Sequence, residues 1–168
     1  MVRRIDELGR IVIPKELRNS LKLNSGDAME IELDGSKQLI IRKTSSLQGM
    51  EEELFNIAKV LNELTNATII FANEEKIIIS YGKTSEIYLD KFLNVAIYNK
   101  INNNLKLYRN IHIIDDLLEQ RPTYICTIGN NTVSKGIMIM IENDKIITNN
   151  QQEIILNFKK FINKSLIN

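Results

Sequence analysis

The sequence predicts a two-part protein, with a small β-rich unit over residues 1–45 and an α+β domain over residues 67–168, joined by a helix over residues 46–66. Three observations predict it. Over residues 2–43, short β-branched and aliphatic runs alternate with polar residues and are separated by turn residues. At Leu47 the apolar spacing changes from every second residue to steps of three and four. From Ala67 onward, strand-length apolar runs are bracketed by segments of helical period, the order expected of a mostly antiparallel sheet with helices on its faces.

The first unit carries most of the functional information. Residues 2–5 and 11–13 flank the turn material of residues 6–9, which reads as strand, bend, strand. Pro14 stops the second strand and suits the first turn of a helix, and Leu17 and Leu21 then stand one helical turn apart. Arg18 and Lys22 form a cationic row opposite, to which Arg3, Arg4 and Arg10 can add. Residues 23–27 form a polar turn. A hairpin is expected next: Met29, Ile31 and Leu33 alternate with acids, residues 34–36 turn the chain, and Leu39 and Ile41 return it. A unit this small, without disulfide or metal, cannot build a sufficient core alone, so it is expected to be an obligate dimer.

The run V-R-R-I-D-E-L-G-R-I-V-I-P-K-E-L-R, followed by G-D-A-M-E-I and L-I-I-R-K, resembles the AbrB-type DNA-binding domain of bacterial transition-state regulators. The resemblance implies a swapped-hairpin β-barrel of the AbrB/MazE kind, in which two chains intertwine and present arginines from both to double-stranded DNA. It implies that Arg3, Arg10 and Arg18 contact DNA, with a basic neighbour at Arg4. Lys22 extends the basic row as a further DNA-binding candidate. Asn19 stands where AbrB has another arginine. On composition alone such a charge row reads equally well as a solvated face; the motif is what favours DNA.

After the polar joint of residues 44–46, Leu47, Met50, Leu54, Ile57, Leu61 and Leu64 trace the seam of a short coiled coil. This helix is read as pairing across a dimer axis; the alternative is packing on its own domain. Beyond it, residues 67–72 and 76–81 are expected to form a hairpin, residues 85–101 a helix, residues 111–114, 124–128 and 136–141 strands, and residues 151–166 a last helix. In the order and length of its elements, and in stretches such as T-Y-I-C-T-I and K-G-I-M-I-M-I, the chain resembles the stage V sporulation protein T family. That resemblance implies a GAF-like C-terminal domain.

With 43% hydrophobic and 26% charged residues, the composition is that of a folded protein and not of a disordered tail. No apolar run approaches the ~20 residues needed to cross a bilayer, and no signal segment opens the chain, so a cytoplasmic, nucleoid-associated protein is expected. The net charge of +1 says little, but the cations are gathered: Arg3, Arg4, Arg10, Lys15, Arg18 and Lys22 face only Asp6, Glu7 and Glu16. The single Cys126 and the single His112 have no motif partners for a metal, a disulfide or nucleophilic catalysis. Residues 129–136 lack the glycine and lysine placement of a phosphate loop and read as a hairpin turn. No enzyme, metal or cofactor is expected, although the C-terminal domain is a place for a small-molecule ligand.

Two functions follow. The first is a DNA-binding transcriptional regulator, homodimeric or homotetrameric, with a sensory or oligomerising second domain. The second is an antitoxin-like protein-binding module of the same swapped-hairpin class. Partner-binding tails of that class are short and disordered, whereas residues 50–168 are periodic and should fold, which favours the regulator.

Overall fold

A computed structural model of the chain describes residues 2–21, 23, 25, 29–43, 47, 49–73, 76–98, 104–129 and 134–166. The backbone forms two compact units, Met1–Thr44 and Ser45–Asn168.

In the first unit, Pro14 caps a short helix α1 (Lys15–Ser20), and strands β1 (Met29–Leu33) and β2 (Leu39–Lys43) pair antiparallel with Ile31 opposite Ile41. Residues 2–5 and 11–13, expected as strands, form no ladder in this single chain. The reason is that extended backbone becomes a strand only when a neighbour takes its N–H and C=O groups. One backbone bond joins the two arms, from Asp6 N to Arg10 O at 3.1 Å. Apolar side chains along the whole unit face solvent, among them Val2, Ile5, Leu8, Val12, Leu17, Leu21, Ile31 and Leu33. Among the described residues of this unit only Pro14 is buried. Residues 24, 26 and 27 of the turn expected over residues 23–27, and the joint at residues 44–46, lie outside the described residues.

The second unit is an α+β domain. Helix α2 (Glu51–Thr65) leads into β3 (Thr68–Ala72) and β4 (Ile77–Tyr81), an antiparallel pair as the sequence suggested. A 3-10 turn (Ser85–Ile87) and a short helix α3 (Val95–Tyr98) follow, then β5 (Lys106–Tyr108), β6 (Ile111–Ile114), β7 (Leu117–Glu119), β8 (Thr123–Gly129), β9 (Ser134–Ile141) and α4 (Asn149–Ser165). Five strands make one antiparallel sheet in the order β4-β3-β9-β8-β5, and β6 with β7 makes a separate ribbon.

Strand alternation sends side chains to both faces of the sheet, and both are covered. On one face Ile69, Phe71, Cys126, Met138 and Met140 pack with Leu54, Ile57, Ala58 and Leu61 of α2 and with Ile155 and Ile162 of α4. On the other, Ile70, Ile125, Ile137 and Ile139 pack with Tyr88, Leu93, Ile97, Ile111 and Ile113.

Two expectations are corrected here. The seam residues Leu47, Leu54, Ile57 and Leu61 are buried in the core of their own chain, so α2 packs on its own domain and those positions are not available to pair with another chain. The three-four spacing is common to any helix with one buried face, which is why it misled. The helix expected over residues 85–101 is broken: Asp90 adopts a left-handed backbone, Lys76 bridges to Phe92, and Asn94 restarts the chain by accepting from the Ala96 N–H at 2.8 Å. Residues 99–103 lie outside the described residues. The last helix matches its expectation and opens with a capping box between Thr148 and Gln151.

Candidate nucleic-acid interface

The basic residues of the first unit stand on three local frames. Arg3 and Arg4 are consecutive and exposed, in a stretch outside helix and strand. Arg18 lies in the last turn of α1, and its N–H donates to the carbonyl of the N-cap residue Pro14 at 2.9 Å, the first bond of the helix. Arg10 closes the turn between the two extended arms. Lys22, the fifth candidate, lies outside the described residues.

The Arg10 turn is organised by Asp6. One carboxylate oxygen, Oδ1, accepts the backbone N–H of Leu8 at 3.0 Å and of Arg10 at 2.8 Å; the other, Oδ2, accepts the Arg10 Nε–H at 2.8 Å. Gly9 donates its N–H to the Asp6 carbonyl and takes a φ of 76°, the left-handed conformation that a glycine enters without penalty. The Arg10 backbone N–H and then its guanidinium hold the Asp6 carboxyl below its ordinary value. Arg10 remains 69% exposed while making this ion pair.

The turn between β1 and β2 is built the same way. Asp34 Oδ1 accepts the N–H of Ser36 at 2.9 Å and of Gln38 at 2.8 Å, Lys37 donates to the Asp34 carbonyl, and Lys37 carries the positive φ. The difference is that no arginine among the described residues meets the carboxylate; the Ser36 hydroxyl lies 2.7 Å from Oδ1 and 2.8 Å from Oδ2. Sequence reasoning placed both turns but missed that each is tied by an aspartate at its first position. The legible signal was an Asp followed three residues later by a residue able to adopt positive φ.

The second unit holds a polar cluster of its own. Arg121 clamps Glu119 with two parallel bonds, Nε to Oε1 at 2.8 Å and Nη2 to Oε2 at 2.7 Å, while the Tyr88 hydroxyl donates to Oε2. Arg121 Nη1 also donates to Asn143 Oδ1 at 2.9 Å. Burial opposes the charge on Glu119, but the hydrogen bonds from Arg121 and Tyr88 outweigh it and its pKa is lowered. His112 is exposed on β6. Cys126 is buried, and desolvation pushes its thiol up to about 11. No group of His, Cys, Asp and Glu among the described residues is arranged to hold a metal ion, and no described helix is long and apolar enough to cross a membrane.

Residues 2–48 match the family model described as antidote-toxin recognition MazE, bacterial antitoxin. Three Bacillus subtilis proteins are similar to parts of the chain. Stage V sporulation protein T is 32% identical over 94 residues, covering 56% of this chain and 53% of that protein. Transition state regulatory protein AbrB is 51% identical over 43 residues, covering 26% of this chain and 44% of that protein. Putative transition state regulator Abh is 49% identical over 43 residues, 26% of this chain and 46% of that protein. The chain thus spans about half the length of the curated relatives it matches.

Proposed function

From the MazE/AbrB-type domain at residues 2–48, we propose that the chain is a DNA-binding transcriptional regulator of the transition-state and sporulation type. Two copies intertwine their first units into a swapped-hairpin barrel and present Arg3, Arg4, Arg10, Arg18 and Lys22 from each to double-stranded DNA. The observation that carries the reading is the pairing of charge with an unfinished core. Residues 3–22, inside the stretch that the family model matches, gather six cations against three acids, and the first unit leaves its apolar side chains in solvent in a single chain. A second copy would supply both the missing core and the second set of cations.

Most of these cations would contact phosphate, each releasing condensed counterion, and a few would reach base edges. Modest sequence preference with steep salt dependence follows. Residues 67–168 are read as a GAF-like regulatory domain: a five-stranded antiparallel sheet with α2 and α4 on one face supports that reading. Its task is to sense a small molecule or to join dimers into tetramers, in a non-enzymatic protein of the cytoplasm.

The description of the matched family favours one other reading, recognition of a toxin protein. Genome-wide mapping of bound sites, with and without residues 45–168, separates the two. The regulator reading expects discrete enriched sites that persist, weakened, in the truncated protein. No DNA enrichment, with a small toxin-like protein recovered in stoichiometric amount, would favour the antitoxin.

A further inference from the structure

We propose that Asp6 is a positioning residue for DNA binding, holding the Arg10 side chain in the orientation in which its outer guanidinium edge meets the nucleic acid. The inference rests on the DNA-binding reading above and adds to it an acidic residue whose removal should weaken binding to a polyanion.

The geometry carries the argument. Asp6 Oδ1 is fixed by two backbone N–H groups of its own turn, so the carboxylate cannot swing, and Oδ2 is left facing the Arg10 Nε at 2.8 Å. A bond to Nε fixes the plane of the guanidinium but does not draw on Nη1 or Nη2, the fork that suits a phosphate or the O6/N7 edge of guanine. An arginine on an exposed turn otherwise loses rotamer freedom when it binds, and a side chain ordered beforehand loses less. The second turn of the unit shows that the carboxylate is not required to face an arginine for the turn to form. Asp34 ties its turn with the same backbone bonds, and its carboxylate meets the neighbouring Ser36 hydroxyl, through both oxygens, where Asp6 meets an arginine. The arginine contact is therefore a feature added to an ordinary turn.

Simple electrostatics and positioning predict opposite signs. Asp6 is an acid among cations, and deleting its charge should strengthen attraction to DNA if charge were all that mattered. The test uses Asp6→Asn in the full chain, because an amide oxygen still accepts the two backbone N–H groups while the Nδ2 group cannot accept from Arg10 Nε. Binding to a fluorescent duplex is measured beside Arg10→Ala, the double variant, and Asp34→Asn as a control for the turn alone. Positioning expects Asp6→Asn to bind at least about threefold more weakly with unchanged melting temperature, and the double variant to bind no more weakly than Arg10→Ala, since coupled residues are not additive. Asp34→Asn should bind as wild type does. Should Asp6→Asn fail to fold, Asp6→Ser keeps a turn-capping oxygen and carries the same expectation. Wild-type or tighter binding by Asp6→Asn, with Arg10→Ala weakened, would overturn the positioning role and leave the DNA reading standing. Wild-type binding by Arg10→Ala would remove the DNA reading itself.

Discussion

Gly136 in β9 lies so close to the Leu47 side chain that a Cβ built on it would stand 2.5 Å from Leu47 Cδ1, and 2.9 Å from the carbonyl oxygen of Ala72 on the neighbouring strand. Leu47 is fully buried, so this residue near the start of the second unit is seated on the sheet beside the glycine. The leucine methyl can turn aside, but the carbonyl belongs to a paired strand and cannot. Gly136→Ala is therefore expected to destabilise the second unit by about 1–3 kcal/mol through overpacking. Chemical denaturation checks it. Leu47→Ala should be destabilising for the opposite reason, by about 2–5 kcal/mol, as a cavity replaces a buried side chain.

The Glu119 clamp gives an acid-dependent stability. The pKa of Glu119 is lowered on folding from an ordinary value of 4.5, so the folded state binds this proton less tightly than the unfolded state does. The contribution is fully present above that ordinary value and is lost as pH falls through the lowered folded value. Glu119→Gln should remove this dependence, giving a variant less stable than wild type at pH 7 and closer to it near pH 3. Arg121→Ala should cost more at neutral pH, about 3 kcal/mol, because it leaves a carboxylate that is only 5% exposed without its cation. Melting temperatures from pH 7 to pH 3 test both.

The first unit should behave as one folding unit only when paired. Its melting transition is expected to rise with protein concentration, since dissociation and unfolding are then a single event. Val12→Asp, which puts a charge on an apolar side chain that is 75% exposed in one chain, should abolish that transition and leave the second unit's transition in place. Calorimetry at several concentrations shows whether it does. A transition independent of concentration would mean that one chain completes its own core.

Much of this molecule was legible in the sequence where local chemistry decides local structure. The alternation of Met29, Ile31 and Leu33 with acids placed β1, and the apolar face of Ile154, Ile155, Phe158, Phe161 and Ile162 placed α4. The basic turn at Arg10 was legible from its glycine. What failed was periodicity without context. The seam from Leu47 to Leu64 reads alike whether a helix meets a partner or its own sheet, and only the fold shows that Leu47, Leu54, Ile57 and Leu61 share one core with Phe71, Cys126 and Met138. The segment from Ser85 has enough apolar residues for a long helix, yet the backbone bonds of Asp90 and Lys91 to β4 break it into pieces. Long-range pairing of that kind has no local signature. The Asp6 to Arg10 bond was hidden for a different reason: an acid within a basic stretch reads as a subtraction of charge until its oxygens are seen to face the arginine.

The central claim is that arginines of the first unit hold DNA, and the salt dependence of binding by Arg10→Ala tests it most directly. Affinity for a preferred and a random duplex is measured over a range of salt for wild type and variant. The account expects an unchanged dimer, about tenfold weaker binding, and a log–log slope flatter by ~0.9 per subunit if Arg10 meets phosphate. A loss confined to the preferred duplex would place Arg10 on a base edge instead. Wild-type affinity and slope on both duplexes would contradict the account.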